Sequence, residues 1–179
     1  MPRGGIGSIV LLLSDLQWWK NFELSTTGGQ VNLNRDFQEF VELFVAHEVQ
    51  FLIVGGYALA AHGHPRYTKD LDVWVWIGPE NSQRILAAIE EFGFGDLGLT
   101  AEDFQEPDVM IQLGHEPQRI DILTYATGLE FNEAFKNRVY FTIGDVQVPF
   151  ISIEDFRTNK LATGRPRDIA DASDLPPPD

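Results

Sequence analysis

The chain has 179 residues, with 13 Lys and Arg against 27 Asp and Glu, a formal net charge of −14 and no cysteine. That length suits one domain with its own core, and the lack of cysteine excludes a disulfide framework, a thiolate metal site and a cysteine nucleophile while suiting a reducing cytoplasm. The excess of acid excludes a broad cationic footprint for nucleic acid, which depends on clustered Lys and Arg.

Ile6 to Leu13 (IGSIVLLL) is too short to cross a bilayer and lacks the flanks of a signal peptide. It reads as a first strand or packing arm, and no membrane is expected. Trp18, Trp19 and Phe22 read as packing residues, followed by a turn over Ser25–Gly29. Residues 1–33 are thus assigned to an N-terminal packing arm, 34–175 to the main domain and 176–179 to a Pro-rich tail. From Asn34, a plausible cap, Phe37, Phe40, Val41, Phe44 and Val45 recur at helical spacing.

Phe51–Val54 is an apolar run of strand length, ended by a Gly55-Gly56 turn before a brief Ala-rich helix over Tyr57–His62. Leu71, Val73 and Val75 then alternate with Asp70, Asp72, Trp74 and Trp76, the period of a strand with one aliphatic face and one that begins with two acids. Ile85, Leu86, Ile89 and Phe92 form a helical stripe from Asn81 or Ser82 to Gly93. Thr100–Asp103 resembles a capped single turn, and Val109–Leu113 and Arg119–Thr124 flank a hairpin turn. A short helix over Glu130–Lys136, two strands around Gly144-Asp145, a helix from Ile153 to Thr163 capped by Ser152, and a final turn or helix over Ile169–Leu175 complete the order.

Successive strand residues face opposite ways, so Asp70 and Asp72 share a side with Cα atoms roughly 6.5–7 Å apart. If the strand ending near Thr124 lies beside theirs, Asp121 adds a third carboxylate; otherwise it faces water on an open sheet face. Three converging acids repel unless a cation neutralises them, and hard oxygen ligands favour magnesium or manganese. Gly55 and Gly56 either make an ordinary tight turn or let the backbone approach an anion at the following helix start, for which phosphate is the natural guest. Phosphoryl or nucleotidyl transfer is the reaction class that this combination suggests. Trp74 and Trp76, on the face of the acids, either stack a base or pack under a helix, the commoner fate of sheet aromatics, and His62 and His64 are assigned to a helix end or the surface.

Gly55-Gly56 after an apolar strand, a spacer of 13 residues and then Asp70-Leu-Asp72-Val73 resembles the signature of the DNA polymerase β-like nucleotidyltransferase superfamily, most of all its small single-domain members. Arg66-x-Thr68-x-Asp70-x-Asp72 and the late Lys160 followed by Gly164-Arg165-x-x-Asp168 are similar to those members too. The resemblance implies an α+β fold with a mixed β-sheet flanked by helices. It implies Asp70, Asp72 and Asp121 as catalytic metal ligands and a triphosphate held by Gly55 and Gly56, with Arg66 and Lys160 as further contacts. Lys160 has the competing role of offsetting a helix dipole. The expected reaction moves a nucleoside monophosphate from a nucleoside triphosphate to a hydroxyl. The acceptor is left open, RNA included, and the alternative is an interaction protein that keeps the fold, such as one component of a toxin–antitoxin pair.

Overall fold

The structure is a computed structural model that describes residues 7–11, 26–27, 30–31, 33–64 and 67–175. The expectations for Trp18, Trp19, Phe22, Arg66 and the Pro176–Pro178 tail lie outside the described residues. The strands are β1 (Gly7–Leu11), β2 (Thr26–Thr27), β3 (Gln30–Val31), β4 (Phe51–Val54), β5 (Asp70–Val75), β6 (Val109–Leu113), β7 (Arg119–Leu123), β8 (Val139–Ile143) and β9 (Val146–Phe150). Among the described residues they form one mixed sheet in the order β1-β6-β7-β5-β4-β9-β8-β3-β2, an α+β fold with helices against the sheet. The apolar N-terminal run is a strand, parallel to β6, while Thr26-Thr27, expected in a turn, pairs with β3.

Helix α1 (Arg35–Ala46) starts where the Asn34 side chain accepts the Phe37 N–H at 2.9 Å, relieving one of the unpaired donors of the first turn. Its buried stripe of Phe37, Phe40, Val41 and Phe44 reaches the sheet through an edge-to-face contact of Phe44 with Phe51 at 5.4 Å. Phe51 is paired with Val75, so α1 covers the aliphatic side of β5, where Leu71, Val73 and Val75 are fully buried. On the acidic side Trp74 packs on Phe131 of α4 (Phe131–Lys136), with ring centroids 5.0 Å apart. Trp74 is therefore a packing residue, as its commoner fate in a sheet requires.

Three helix starts differ from the sequence reading. Helix α2 (Gly55–Ala61) begins at Gly55 itself, so the glycine pair is the first turn of the helix and not a loop before it. Helix α3 (Pro79–Ile89) begins at a proline, whose fixed φ and missing N–H suit the first helical position. Asn81 is buried instead, accepting the Gln50 N–H at 2.7 Å and donating to the carbonyls of Gln50 and Trp76, which ties the start of α3 to the end of β5. Helix α6 (Pro166–Ser173) starts at a proline for the same reason, three residues before Ile169. Helix α5 (Ile153–Thr163) has the expected ends: Ser152 caps it and Gly164, with φ 68°, stops it.

Candidate active site

Strands β5 and β7 run parallel in the middle of the sheet with Asp70 beside Arg119 and Asp72 beside Asp121. Residues two apart share a face, so these four side chains occupy the corners of a small square. Asp70, Asp72 and Asp121 each offer an oxygen within 4.8 Å of the others. The strand adjacency on which Asp121 depended is present, and Asp121 is only 2% exposed.

The electrostatics follow from that crowding. Burial, then the neighbouring charges of Asp70 and Asp121, push the Asp72 carboxyl up to about 7, although Lys160 and Arg119 pull the other way. Burial also raises Asp121, against hydrogen bonds from Arg119 and Gln112. A cluster that resists ionisation in this way is one that a cation stabilises. All three donors are carboxylate oxygens, without sulfur or imidazole, so the set fits a hard divalent ion such as magnesium or manganese.

The glycine pair is explained by the same strand. Gly55 has φ 64°, and a Cβ there would overlap Oδ2 of Asp72 and lie 2.7 Å from its Cγ. At Gly56 a Cβ would stand 2.7 Å from both Cβ and Oγ1 of Thr68. The first turn of α2 thus lies directly against the acidic strand, which only residues without side chains permit. Thr68 in turn donates to Oδ1 of Asp70 at 2.8 Å, fixing that carboxylate at the strand entrance.

Lys160, on α5, is buried, and its Nζ donates to Oδ1 of Asp168 at 2.9 Å. Its charge also reaches Asp72. Burial pushes the Asp168 carboxyl up, but hydrogen bonds from Thr163 and Lys160 and the charges of Lys160 and Arg165 hold it below the ordinary value. Lys160 is therefore tied to α6 as well as set near the acids. His62 is engaged with the backbone carbonyl of Ile151 at 2.8 Å and with the ring of Phe141, in keeping with a structural role.

Sequence reasoning did not single out Arg119. Its Nε and Nη2 donate to the two oxygens of Asp121 at 2.6 and 2.8 Å, and Nη2 also reaches Oδ2 of Asp70 at 2.9 Å. The signal was the Arg119-x-Asp121 alternation, which puts both side chains on one face once the strand is recognised. On the same side, toward the carboxyl ends of β5 and β7, a cavity of about 490 Å³ is lined by Trp74, Trp76, Asp108, Tyr125, Glu130 and Phe131 among others.

Among the described residues no helix is long and apolar enough to cross a membrane. Residues 32–175 match the family model described as a nucleotidyltransferase of unknown function (DUF6036). No curated protein matches the chain.

Proposed function

Because the chain belongs to this nucleotidyltransferase family, we propose that it transfers a nucleoside monophosphate from a nucleoside triphosphate to a hydroxyl acceptor. The observation that carries the reading is the placement of Asp70, Asp72 and Asp121 on two adjacent parallel strands with their oxygens within 4.8 Å of one another. These three residues would hold magnesium or manganese, which would neutralise triphosphate charge and polarise the attacked phosphorus. Gly55 and Gly56 bring no side chain between a phosphate and the N–H groups of the first turn of α2, which no carbonyl within the helix can use, and Lys160 adds positive charge nearby.

In the transfer, the acceptor oxygen bonds to the α-phosphorus as the bond from that phosphorus to the oxygen bridging to the β-phosphorus breaks. Pyrophosphate departs, and the hydroxyl proton passes to a carboxylate of the triad. The acceptor is best placed in the cavity beside Trp74 and Trp76. Among the described residues its lining contains Asp108 and Glu130 and no Lys or Arg, which supports a small hydroxylated molecule over the phosphate backbone of RNA.

Incubation with each labelled triphosphate and manganese, using the intact chain and the Asp70→Ala plus Asp72→Ala variant, tests the assignment. Pyrophosphate release should occur with the first and fall to background with the second. Triphosphate binding that ignores both substitutions would overturn the site. The reading as a protein-binding component of a toxin–antitoxin pair draws on the net charge of −14 and on the exposed Leu161 and Ile169 of α5 and α6. A stable complex with a co-expressed partner, without metal or nucleotide affinity, would favour it.

A further inference from the structure

The four-cornered arrangement on β5 and β7 contains its own cation. Three carboxylates crowd one patch of sheet, and Arg119 bridges two of them. Its guanidinium spends two donors on Asp121 and shares one with Asp70, with heavy-atom separations of 2.6–2.9 Å. Charge-assisted bonds of this kind use the same oxygen lone pairs that a metal ion needs. A divalent ion that takes those lone pairs has to displace the guanidinium from them.

There is also a place for the guanidinium to go. Nη1 of Arg119 lies 3.7 Å from Oε1 of Glu116, which sits on the rim of the site and is itself held by Lys69 at 2.9 Å. Glu116 is half exposed, so a guanidinium that lets go of Asp70 remains paired at the edge of the site, with donors free for another anion. A triphosphate arriving beside Asp70 is such an anion, and guanidinium forks suit phosphate oxygens.

We propose that Arg119 is a resident counter-ion of the metal-free triad, displaced from Asp70 and from the Asp121 oxygen that the ion takes when a divalent ion binds, and then available to the phosphates of the incoming nucleotide. Metal and nucleotide binding are thereby coupled: the metal alone must displace Arg119, whereas metal with nucleotide gives the freed guanidinium a new partner. This deepens the nucleotidyltransferase reading and rests on it. Arg119 is a positioning residue here, since it acts through the carboxylates before it meets a ligand.

The test measures Mn²⁺ affinity directly, by calorimetry and by the free-ion paramagnetic resonance signal. It uses the full chain and the variants Arg119→Gln, Arg119→Lys and Asp72→Asn. A second series contains an ATP analogue with a methylene group between the α- and β-phosphorus, corrected for metal that the nucleotide binds in solution. Arg119→Gln should bind Mn²⁺ about tenfold or more tightly than the unmodified chain without nucleotide, as expected for removal of one charge-assisted competitor. With the analogue present the difference should shrink or reverse. Arg119→Lys keeps the charge but not the fork, so affinity near that of Arg119→Gln supports bridging as the barrier, and affinity equal to the unmodified chain overturns it in favour of simple charge. Equal Mn²⁺ affinity in the unmodified chain and Arg119→Gln, with both forms folded by circular dichroism, also overturns the proposal. If the unmodified chain, Arg119→Gln and Asp72→Asn all fail to bind Mn²⁺, both this proposal and the metal-site reading fall; binding that is lost only in Asp72→Asn leaves that reading standing whatever Arg119 does.

Discussion

Replacing Gly55 with alanine should damage stability and site together, because Gly55 answers to two constraints at once. Its φ of 64° disfavours any residue with a Cβ by about 1–2 kcal/mol. The added methyl would also overlap Oδ2 of Asp72, and relieving that overlap means moving a carboxylate held between two strands, an overpacking cost of about 1–3 kcal/mol. Gly63 supplies the control, since it has φ 90° with nothing within 4 Å of a built Cβ. Gly63→Ala should therefore show the backbone cost alone, and Gly55→Ala should exceed it by about 1–3 kcal/mol. Urea unfolding followed by circular dichroism measures both, and melting points should differ by about 2–4 °C for each kcal/mol in a domain of this size. Adding Asp72→Ala to Gly55→Ala removes the overlapping oxygen, so the combined loss should be smaller than the sum of the single losses. Gly55→Ala costing no more than Gly63→Ala, or strict additivity with Asp72→Ala, would refute the close approach of α2 to the acids.

The raised Asp72 carboxyl gives a pH signature: between about pH 4, where an ordinary aspartate ionises in the unfolded chain, and about 7, the folded protein keeps a proton that the unfolded chain has released. Stability from this group is full below pH 4 and is lost as pH rises to 7. Asp72→Asn should flatten that fall in melting temperature; an identical profile in the variant would sink the assignment. Manganese should raise the melting temperature more at pH 8 than at pH 5, because the ion needs the ionised carboxylates, and an equal rise at both would count against carboxylate ligation. Asp168→Ala strands the buried Lys160 ammonium and should cost about 3–5 kcal/mol in urea unfolding; a loss below 1 kcal/mol would mean that Lys160 finds another partner.

Much of the site was legible because it rests on two simple periods. The alternation of Asp70, Asp72 and Trp74 along a single strand is enough to put both acids on one face, and the same rule applied to Arg119-x-Asp121 puts that pair on one face of β7. The adjacency of β5 and β7 was harder to read. Their pairing is parallel and joins segments some fifty residues apart, with β6 leaving and returning between them, and no local pattern encodes that choice. The helix starts were missed where a local rule competed with a better one: Asn81 looks like a cap until its amide is needed by Gln50 and Trp76, and Pro79 takes the first position instead.

The glycine pair shows the same limit from the other side. Read alone, Gly55-Gly56 is either an ordinary tight turn or room for a ligand. In the fold the room is taken up first by Asp72 and Thr68, so the glycines are required even before any phosphate arrives. A turn that fits this closely against the acidic strand fixes the distance between the helix N–H groups and the carboxylates. That distance is what a metal-bound triphosphate would have to match, so the packing constraint and the proposed chemistry select the same two residues. Arg119 completes the logic: a site crowded enough to need glycines on one side is crowded enough to need a cation within it, and strand β7 supplies one two residues before its own acid.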